Sequence, residues 1–381
     1  MRMIFFGDYC VSKPRQPVLS SRLQERLCGA DVIGVNFEGP LLATAVPAPK
    51  AASKAGPSLS QVLPASETLK HFGCTHAALA NNHIMDYGET GLTQTMASLS
   101  QLGVAHFGAG ESFDAAYAPH YSKIGEQTIA FCSFAEAQFG VLQEADADAS
   151  GFAWMDHPKA RQSVREAAEK ADFVVVQVHG GLEMVEFPLP EWRRCYRELI
   201  DLGADMIIGH HPHVAQGHEM YRGKPIVYSL GNFYMDVMLA QKDPGHGLML
   251  DVELSDGELT FNIVPLAVSH NEVDLDLSDH AAVSQRERDD LLKDEAAYTK
   301  AVDDICASSW ETIYETYYAV SMLGLGGRLR VKSLPRWLRS LAVWLLKGRK
   351  GSVSRHLLLL HNIRIETHRW VVERAITRMK P

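Results

Sequence analysis

The chain has 381 residues, 46% hydrophobic and 22% charged, with a formal net charge of −9, an ordinary balance for a soluble globular protein of one or two domains. No stretch approaches the roughly 20 apolar residues that a bilayer crossing requires, and the longest run, Leu338 to Leu346, is flanked by arginine and lysine. The six cysteines (Cys10, Cys28, Cys74, Cys132, Cys195 and Cys306) are scattered without a CxxC pair, which excludes a disulfide framework and a cysteine zinc site.

Along the chain, short apolar runs alternate with amphipathic stretches up to about Ser269, the pattern of an α/β layer architecture. The first strand, 3–6, begins without an apolar leader before it. Together with reduced thiols this gives the expectation of a cytoplasmic protein. Further strands are predicted at 32–36, 76–80, 128–133, 173–178, 206–208 and 226–229, and a hairpin at 248–254 and 259–264 around Ser-Asp-Gly. Helices are predicted between them at 19–27, 67–72, 89–102, 158–170 and 191–202. The stretch 44–64, rich in Ala, Pro, Ser and Lys, reads as a long surface loop.

A first domain of residues 1–270 is expected to give way to a mostly helical, basic C-terminal extension, 271–381. Within it, 274–290 reads as acidic and irregular, 296–322 as helical, and 334–347 and 353–380 as two basic amphipathic helices. From Gly324 onward 14 Lys and Arg stand against only Glu366 and Glu373, whereas the preceding residues hold 23 basic and 44 acidic groups. Three readings of this tail stand: a helix pair packed on the body; a peripheral contact with anionic lipid at the inner membrane face, using Trp337, Trp344 and Trp370 among the cations; and nucleic-acid binding. No recognised fold supports the last, so no nucleic acid is expected as partner.

Polar residues of the metal-binding kind fall at the C-terminal ends of the predicted strands, where an open α/β sheet gathers side chains from separate strands into one crevice. Asp8 ends the first strand, Asn36 and Glu38 the second, and Asn81-Asn82-His83 the third. His179 follows 173–178, Gly209-His210-His211-Pro212-His213 follows 206–208, and Asn232 follows Tyr228-Ser229-Leu230-Gly231. One histidine at a strand end is commonly structural; six strand ends in succession form a set. Imidazole suits zinc and iron, while carboxylate and amide oxygens suit manganese and magnesium as well. His211 and His213, with proline between, fit an extended segment in which i and i+2 point the same way. Glu38 is placed to bridge two ions, and His83, beside Asn82, to protonate a leaving oxygen. His210 reads as a neighbour that shapes the turn, His71, His76 and His218 as structural or solvated, and Asp205 as a helix-terminus or loop residue.

The series Gly-Asp8, Asn36-Phe-Glu38-Gly-Pro40, Asn81-Asn-His83-Ile-Met-Asp86-Tyr-Gly88, His179-Gly-Gly-Leu-Glu183, Gly209-His-His-Pro-His213-Val-Ala-Gln216 and Tyr228-Ser-Leu-Gly231-Asn-Phe233 resembles the bacterial CapA family. That family is associated with poly-γ-glutamate and capsule synthesis, and its domain is similar to the calcineurin-like metallophosphatases. The resemblance covers roughly residues 1–270 and implies a four-layer α/β/β/α metallophosphoesterase-like sandwich with one or two divalent ions (Mn, Zn or Fe) at one edge. Carried over, Asp8 and His213 resemble ligands of a first metal, Glu38 the bridging carboxylate, and Asn82, His179 and His211 ligands of a second. His83 resembles the acid. Asn36, Asp86, Glu183 and Asn232 match positions that support ligands or contact substrate, so the expected catalytic set is His83, Glu183 and Asn36; Glu183 also admits reading as a surface charge. The implied activity is metal-dependent phosphoester hydrolysis of a phosphate-containing small molecule or polymer precursor. The competing reading is a non-catalytic assembly or regulatory subunit of a polymer-synthesis complex with a structural metal. The sequence departs twice from the family pattern. Cys10 stands where a metal-binding histidine is implied, leaving the first metal a nitrogen short; it reads as a buried structural thiol, the alternatives being a thiolate ligand or the loss of one metal. Gly180 stands where an aromatic residue is implied, which is expected to open the pocket wall.

Overall fold

The computed structural model describes residues 1–42, 49–143, 149–238, 247–255, 257–269, 271–323 and 355–378. The chain forms two compact units, Met1–Ala51 with Ser58–Tyr298, and Ala52–Pro57 with Thr299–Pro381. The first unit therefore runs past residue 270.

The first unit is built on β1 (Arg2–Cys10), β2 (Val32–Phe37), β3 (His76–Ala78), β4 (Gln127–Ala135), β5 (Phe173–His179), β6 (Met206–His210) and β7 (Asn232–Met235). One sheet runs Val18–Leu19, Glu272–Leu275, Glu258–Ser269, Gly247–Ser255, β1, β2, β3, Ala105–Phe107, with β7 also on β1. The other runs His218–Tyr221, Lys224–Val227, β6, β5, β4, His120–Ile124. Strands β1, β2 and β3 are mutually parallel, as are β4, β5 and β6.

The sheets face each other across a core in which Met3, Phe5, Val32 and Ala78 meet Ile129, Phe131, Val175 and Ile208. Behind the first sheet lie Leu23, Leu69, Leu92 and Leu99, from the helices Ser21–Leu27, Leu63–His71 and Gly88–Gln101. Behind the second lie α1 (Pro158–Lys170), on β4 and β5, and α2 (Pro190–Asp201), on β6. The result is the α/β/β/α sandwich. With both faces covered, strands such as β5, Phe-Val-Val-Val-Gln-Val-His, are buried throughout and read as unbroken apolar runs. Each large apolar side chain so buried contributes about 1.5–3 kcal/mol, which keeps the two strand edges in register.

Gly7 marks a change of neighbour within β1. Arg2 to Phe6 pair antiparallel with Gly247–Ser255, whereas Asp8 to Cys10 pair parallel with β7. The crossing is tight: the Asp8 amide donates to Gly231 O at 2.8 Å, and a Cβ on Gly7 would lie 1.8 Å from that oxygen.

Several sequence expectations are corrected. Residues 274–290 are not irregular; Glu272–Leu275 is a strand and α3 (Asp279–Lys293) a helix capped by Ser278. The buried face of α3 is largely polar. Gln285, Arg288 and Asp289 are spent on Gln216 O, Glu186 and the His218 amide, so apolar periodicity had little to show. The far end of the expected surface loop is tied into the core. Gln61 is fully buried, accepts from the Val11 amide and donates to Tyr9, Glu38 and Gly39 carbonyls. Residues 43–48 of that loop, and the predicted helix 334–347, lie outside the described residues.

In the second unit, the later turns of the helix Glu295–Ser309 run through a π-helical turn, Trp310–Tyr314, into Glu315–Leu323. The stretch expected as one final helix is two, Arg355–Arg364 and Glu366–Arg378, broken at the buried Ile365. Tyr314 meets the His368 ring edge-on at 4.9 Å, and Arg378 pairs with Asp303. Among the described residues no helix is long and apolar enough to cross a membrane.

Candidate metal centre

The C-terminal edges of both sheets converge, and the expected residues meet there. The first sheet brings Asp8, Asn36, Glu38, Asn82, His83 and Asn232; the second brings His179, His210, His211 and His213. All are buried.

His179 is the hub on one side. Its Nε2 lies 2.9 Å from Asn82 Oδ1, 3.1 Å from His211 Nδ1 and 3.9 Å from Glu38 Oε1. His213 is the hub on the other. Its Nδ1 lies 3.1 Å from Asp8 Oδ2 and 3.1 Å from Asn232 Oδ1, and its Nε2 lies 3.9 Å from Glu38 Oε1. Asn36 sits behind the donors: its amide nitrogen donates to Asp8 Oδ1 at 2.8 Å and lies 3.1 Å from His179 Nδ1. Two groups of ionisable donors, Asp8–Glu38–His213 and Glu183–His211–His213, have ligand atoms within 4.8 Å of one another.

Glu38 occupies the centre, and it is chemically anomalous. The side chain is fully buried, yet neither carboxylate oxygen has a hydrogen-bond partner. A buried, unpaired charge of this kind costs several kcal/mol, whereas buried polar groups are as a rule satisfied. Three imidazole nitrogens, of His83, His179 and His213, stand 3.9 Å from the same oxygen. That distance is too long for hydrogen bonds, but donors this far apart can share a cation bound at about 2 Å. The residues present therefore fit a divalent ion.

The electrostatics divide the donors into two kinds. Burial pushes the Glu38 carboxyl well above the usual carboxylate range; His213 opposes this, and Asp8, Glu183 and Asp86 reinforce it. Burial acts upward on Asp8 too, but contact with His213, the nearby His210 and the Asn36 amide bring it below its ordinary value. Burial works to discharge His213, yet Glu38 and Asp8 hold its pKa up at about 10. His210 and His211 are each lowered to about 4 by burial. His179 falls well below its usual value through burial and the neighbouring imidazoles. His179 and His211 are thus held neutral, the form in which imidazole binds metal, whereas His213 and Glu38 would release protons when an ion binds.

The structure corrects two expectations at the site. His211 and His213 do not lie on an extended segment; both adopt left-handed backbone, φ 95° and 60°. Such conformations are costly for non-glycine residues and concentrate at functional sites. Gly209 precedes this turn because a Cβ there would lie 1.8 Å from Tyr228 O. Gly180 does not open the pocket wall. The Trp192 ring fills the space, with carbons 2.5 and 2.6 Å from where a Cβ would stand. Asn36, grouped with the expected catalytic residues, touches Asp8 and His179 through its amide nitrogen.

The other expected residues fall as follows. Cys10 is buried and belongs to neither donor group. Burial, helped by Glu38, Asp236 and Asp86, raises its thiol well above the ordinary value, so it stays uncharged. Glu183 is 62% exposed, 4.0 Å from His211 Nε2. His83 Nδ1 lies 2.6 Å from Asp86 Oδ2, which also accepts from the Leu59 amide. His210 Nε2 lies 3.0 Å from Gln177 Oε1, off the donor set.

Glu136 went unnoticed in the sequence. It is buried, with Oε1 3.3 Å from His211 Nε2, and it accepts from Gln138. The strand-end rule would have found it had β4 been extended from Ser133 to Ala135.

Residues 11–237 match the model of the bacterial capsule synthesis protein family PGA_cap, and the chain belongs to that family. It is 38% identical over 171 residues to the PGA biosynthesis protein CapA of Bacillus subtilis (strain 168), covering 45% of each chain. It is 32% identical over 214 residues to the capsule biosynthesis protein CapA of Bacillus anthracis, covering 55% of this chain and 52% of that one. The chain thus spans about half the length of the curated relatives it matches. Among solved structures it is similar to a 5′-nucleotidase from Candida albicans SC5314, at 8% identity and TM-score 0.40, covering 78% of this chain and 56% of that one.

Proposed function

We propose that the chain is a metal-dependent hydrolase of phosphate esters serving capsule or poly-γ-glutamate synthesis, with a phosphate-containing small molecule or polymer precursor as substrate. The observation that carries this reading is Glu38, a buried carboxylate without hydrogen bonds, ringed by imidazoles. Asp8, Glu38 and His213 would hold one ion and Asn82, His179 and His211 a second, with Glu38 between them. Imidazole with carboxylate and amide oxygen suits Mn²⁺, Zn²⁺ or Fe²⁺. When bound, such ions supply positive charge to a phosphoryl oxygen and make water nucleophilic at neutral pH.

The chain's own groups do the rest. Asn36 ties Asp8 to His179, so that a donor from each sheet is fixed by one amide. Glu136 and His179 flank the two nitrogens of His211 and set its ring. Asp86 takes the His83 Nδ1 side, which leaves Nε2 on the Glu38 side, where a proton can pass to a leaving oxygen.

The test is turnover of an aryl phosphate and a panel of phosphodiesters with each metal, for wild type, His83→Ala and His211→Ala. Metal-dependent turnover that falls by about 10²–10⁴ in His83→Ala and disappears in His211→Ala is expected. Wild-type inactivity with every metal and ester would overturn the enzyme reading in favour of a non-catalytic role.

A further inference from the structure

The resemblance to the metallophosphatases leaves the first cation one nitrogen short, because residue 10 is Cys10 rather than histidine. The structure suggests what stands in its place. Asn82 and Asn232 hold matching positions in the two halves of the centre. Asn82 Oδ1 lies 2.9 Å from His179 Nε2. Asn232 Oδ1 lies 3.1 Å from His213 Nδ1, and that same nitrogen lies 3.1 Å from Asp8 Oδ2. Adjacent donors on one six-coordinate ion, each bound at about 2.1 Å, lie roughly 3 Å apart. Asp8 Oδ2 and Asn232 Oδ1 each already have that spacing from His213 Nδ1.

The backbone explains why Asn232 is there. It is the parallel-sheet partner of Asp8, beyond the point where β1 exchanges neighbours at Gly7. The strand is held close: the Asp8 amide binds Gly231 O, and a Cβ on Gly247 would lie 1.9 Å from Asn232 O. The amide nitrogen of Asn232 faces away, toward Met238 Sδ at 3.7 Å, a weak acceptor. The oxygen is left facing the centre.

We propose that Asn232, and not residue 10, completes the first cation site, giving its carboxamide oxygen to the ion held by Asp8, Glu38 and His213. This assignment rests on the metal-dependent reading above. The two carboxamides then make the centre nearly symmetric, one amide oxygen per ion with Glu38 between. A purely structural Asn232 would only accept a hydrogen bond from His213 Nδ1, and its loss would not change how many ions bind.

The experiment is equilibrium dialysis of the chelator-stripped full chain against Mn²⁺, with elemental analysis and far-ultraviolet circular dichroism, for wild type, Asn232→Ala, Asn232→Asp and Cys10→Ala. Two ions are expected in wild type and Cys10→Ala, and one in Asn232→Ala. Two are expected in Asn232→Asp, one of them bound about 10-fold more tightly because a carboxylate adds ligand charge. Asn232 variants that match wild type in number and affinity would overturn the assignment, as would loss of an ion in Cys10→Ala but not in Asn232→Ala. Should Asn232→Ala fail to fold, Asn232→Asp decides alone, and unchanged affinity counts against the assignment. A wild-type chain that binds no ion contradicts the metal reading as a whole; two ions in wild type and Asn232→Ala alike contradict this assignment only.

Discussion

The first sheet brings the centre oxygen donors, from Asp8, Glu38, Asn82 and Asn232, whereas the second brings the nitrogens of His179, His211 and His213. Neither edge alone is a site. The oxygen side without its partner is a cluster of carboxylates and amides around the unpaired Glu38; the nitrogen side is three imidazoles, two of them, His211 and His213, on left-handed backbone. The apolar layer between the sheets, with Phe5 and Val32 against Phe131 and Val175, brings the two together. A cation at this edge therefore joins two layers, and ion affinity should track the sheets' alignment.

Ion removal should break the comparison most strongly. Binding at 100 times Kd adds about 2.7 kcal/mol to stability, so Mn²⁺ or Zn²⁺ should raise the melting temperature of wild type, and of Glu38→Ala far less. Equal shifts for both would place the ion elsewhere. Asn36→Ala comes next. It removes the amide that links a first-sheet carboxylate to a second-sheet imidazole, and ion affinity should drop about 10–100-fold, measured by competition with a chromogenic chelator. Unchanged affinity would mean that the two edges are aligned without it.

Gly180→Ala tests the packing behind the nitrogen side. Its new methyl would collide with the rigid Trp192 ring, at a cost of about 1–3 kcal/mol in urea unfolding; a neutral result would refute the filled wall. The smallest effect lies away from the site, at the edge of the second sheet. Burial works to raise the Glu219 pKa, but hydrogen bonds from Arg197, Tyr228 and Arg193 bring it down to about 2. A carboxylate with a lowered folded pKa stabilises fully above its unfolded value, near 4.5, and loses that contribution as pH falls toward 2. Glu219→Gln should therefore cost about 1 kcal/mol at pH 7, allowing for solvent screening, and the gap should narrow below pH 4.5. A gap independent of pH would contradict the ionic account.

The layered fold and the crowded edge were both legible, because buried parallel strands write continuous apolar runs and polar residues stand out where those runs stop. Asp8, Glu38, His179 and His211 were found in that way. Glu136 was missed because β4 was ended two residues early, and the turn at His211 and His213 was misread because left-handed histidines have no sequence signal of their own. The helix α3 was hidden by its polar buried face. The wall at Gly180 was misjudged for another reason: the ring that fills it, Trp192, comes from α2, and no local pattern connects the two.

Anomalous diffraction from crystals grown with Mn²⁺ tests the central claim most directly. The account predicts strong density between the sheet edges, about 2.0–2.2 Å from the donor atoms of Glu38, His213 and His179. Density confined to surface carboxylates, with the Glu38 oxygens still without partners, would contradict it.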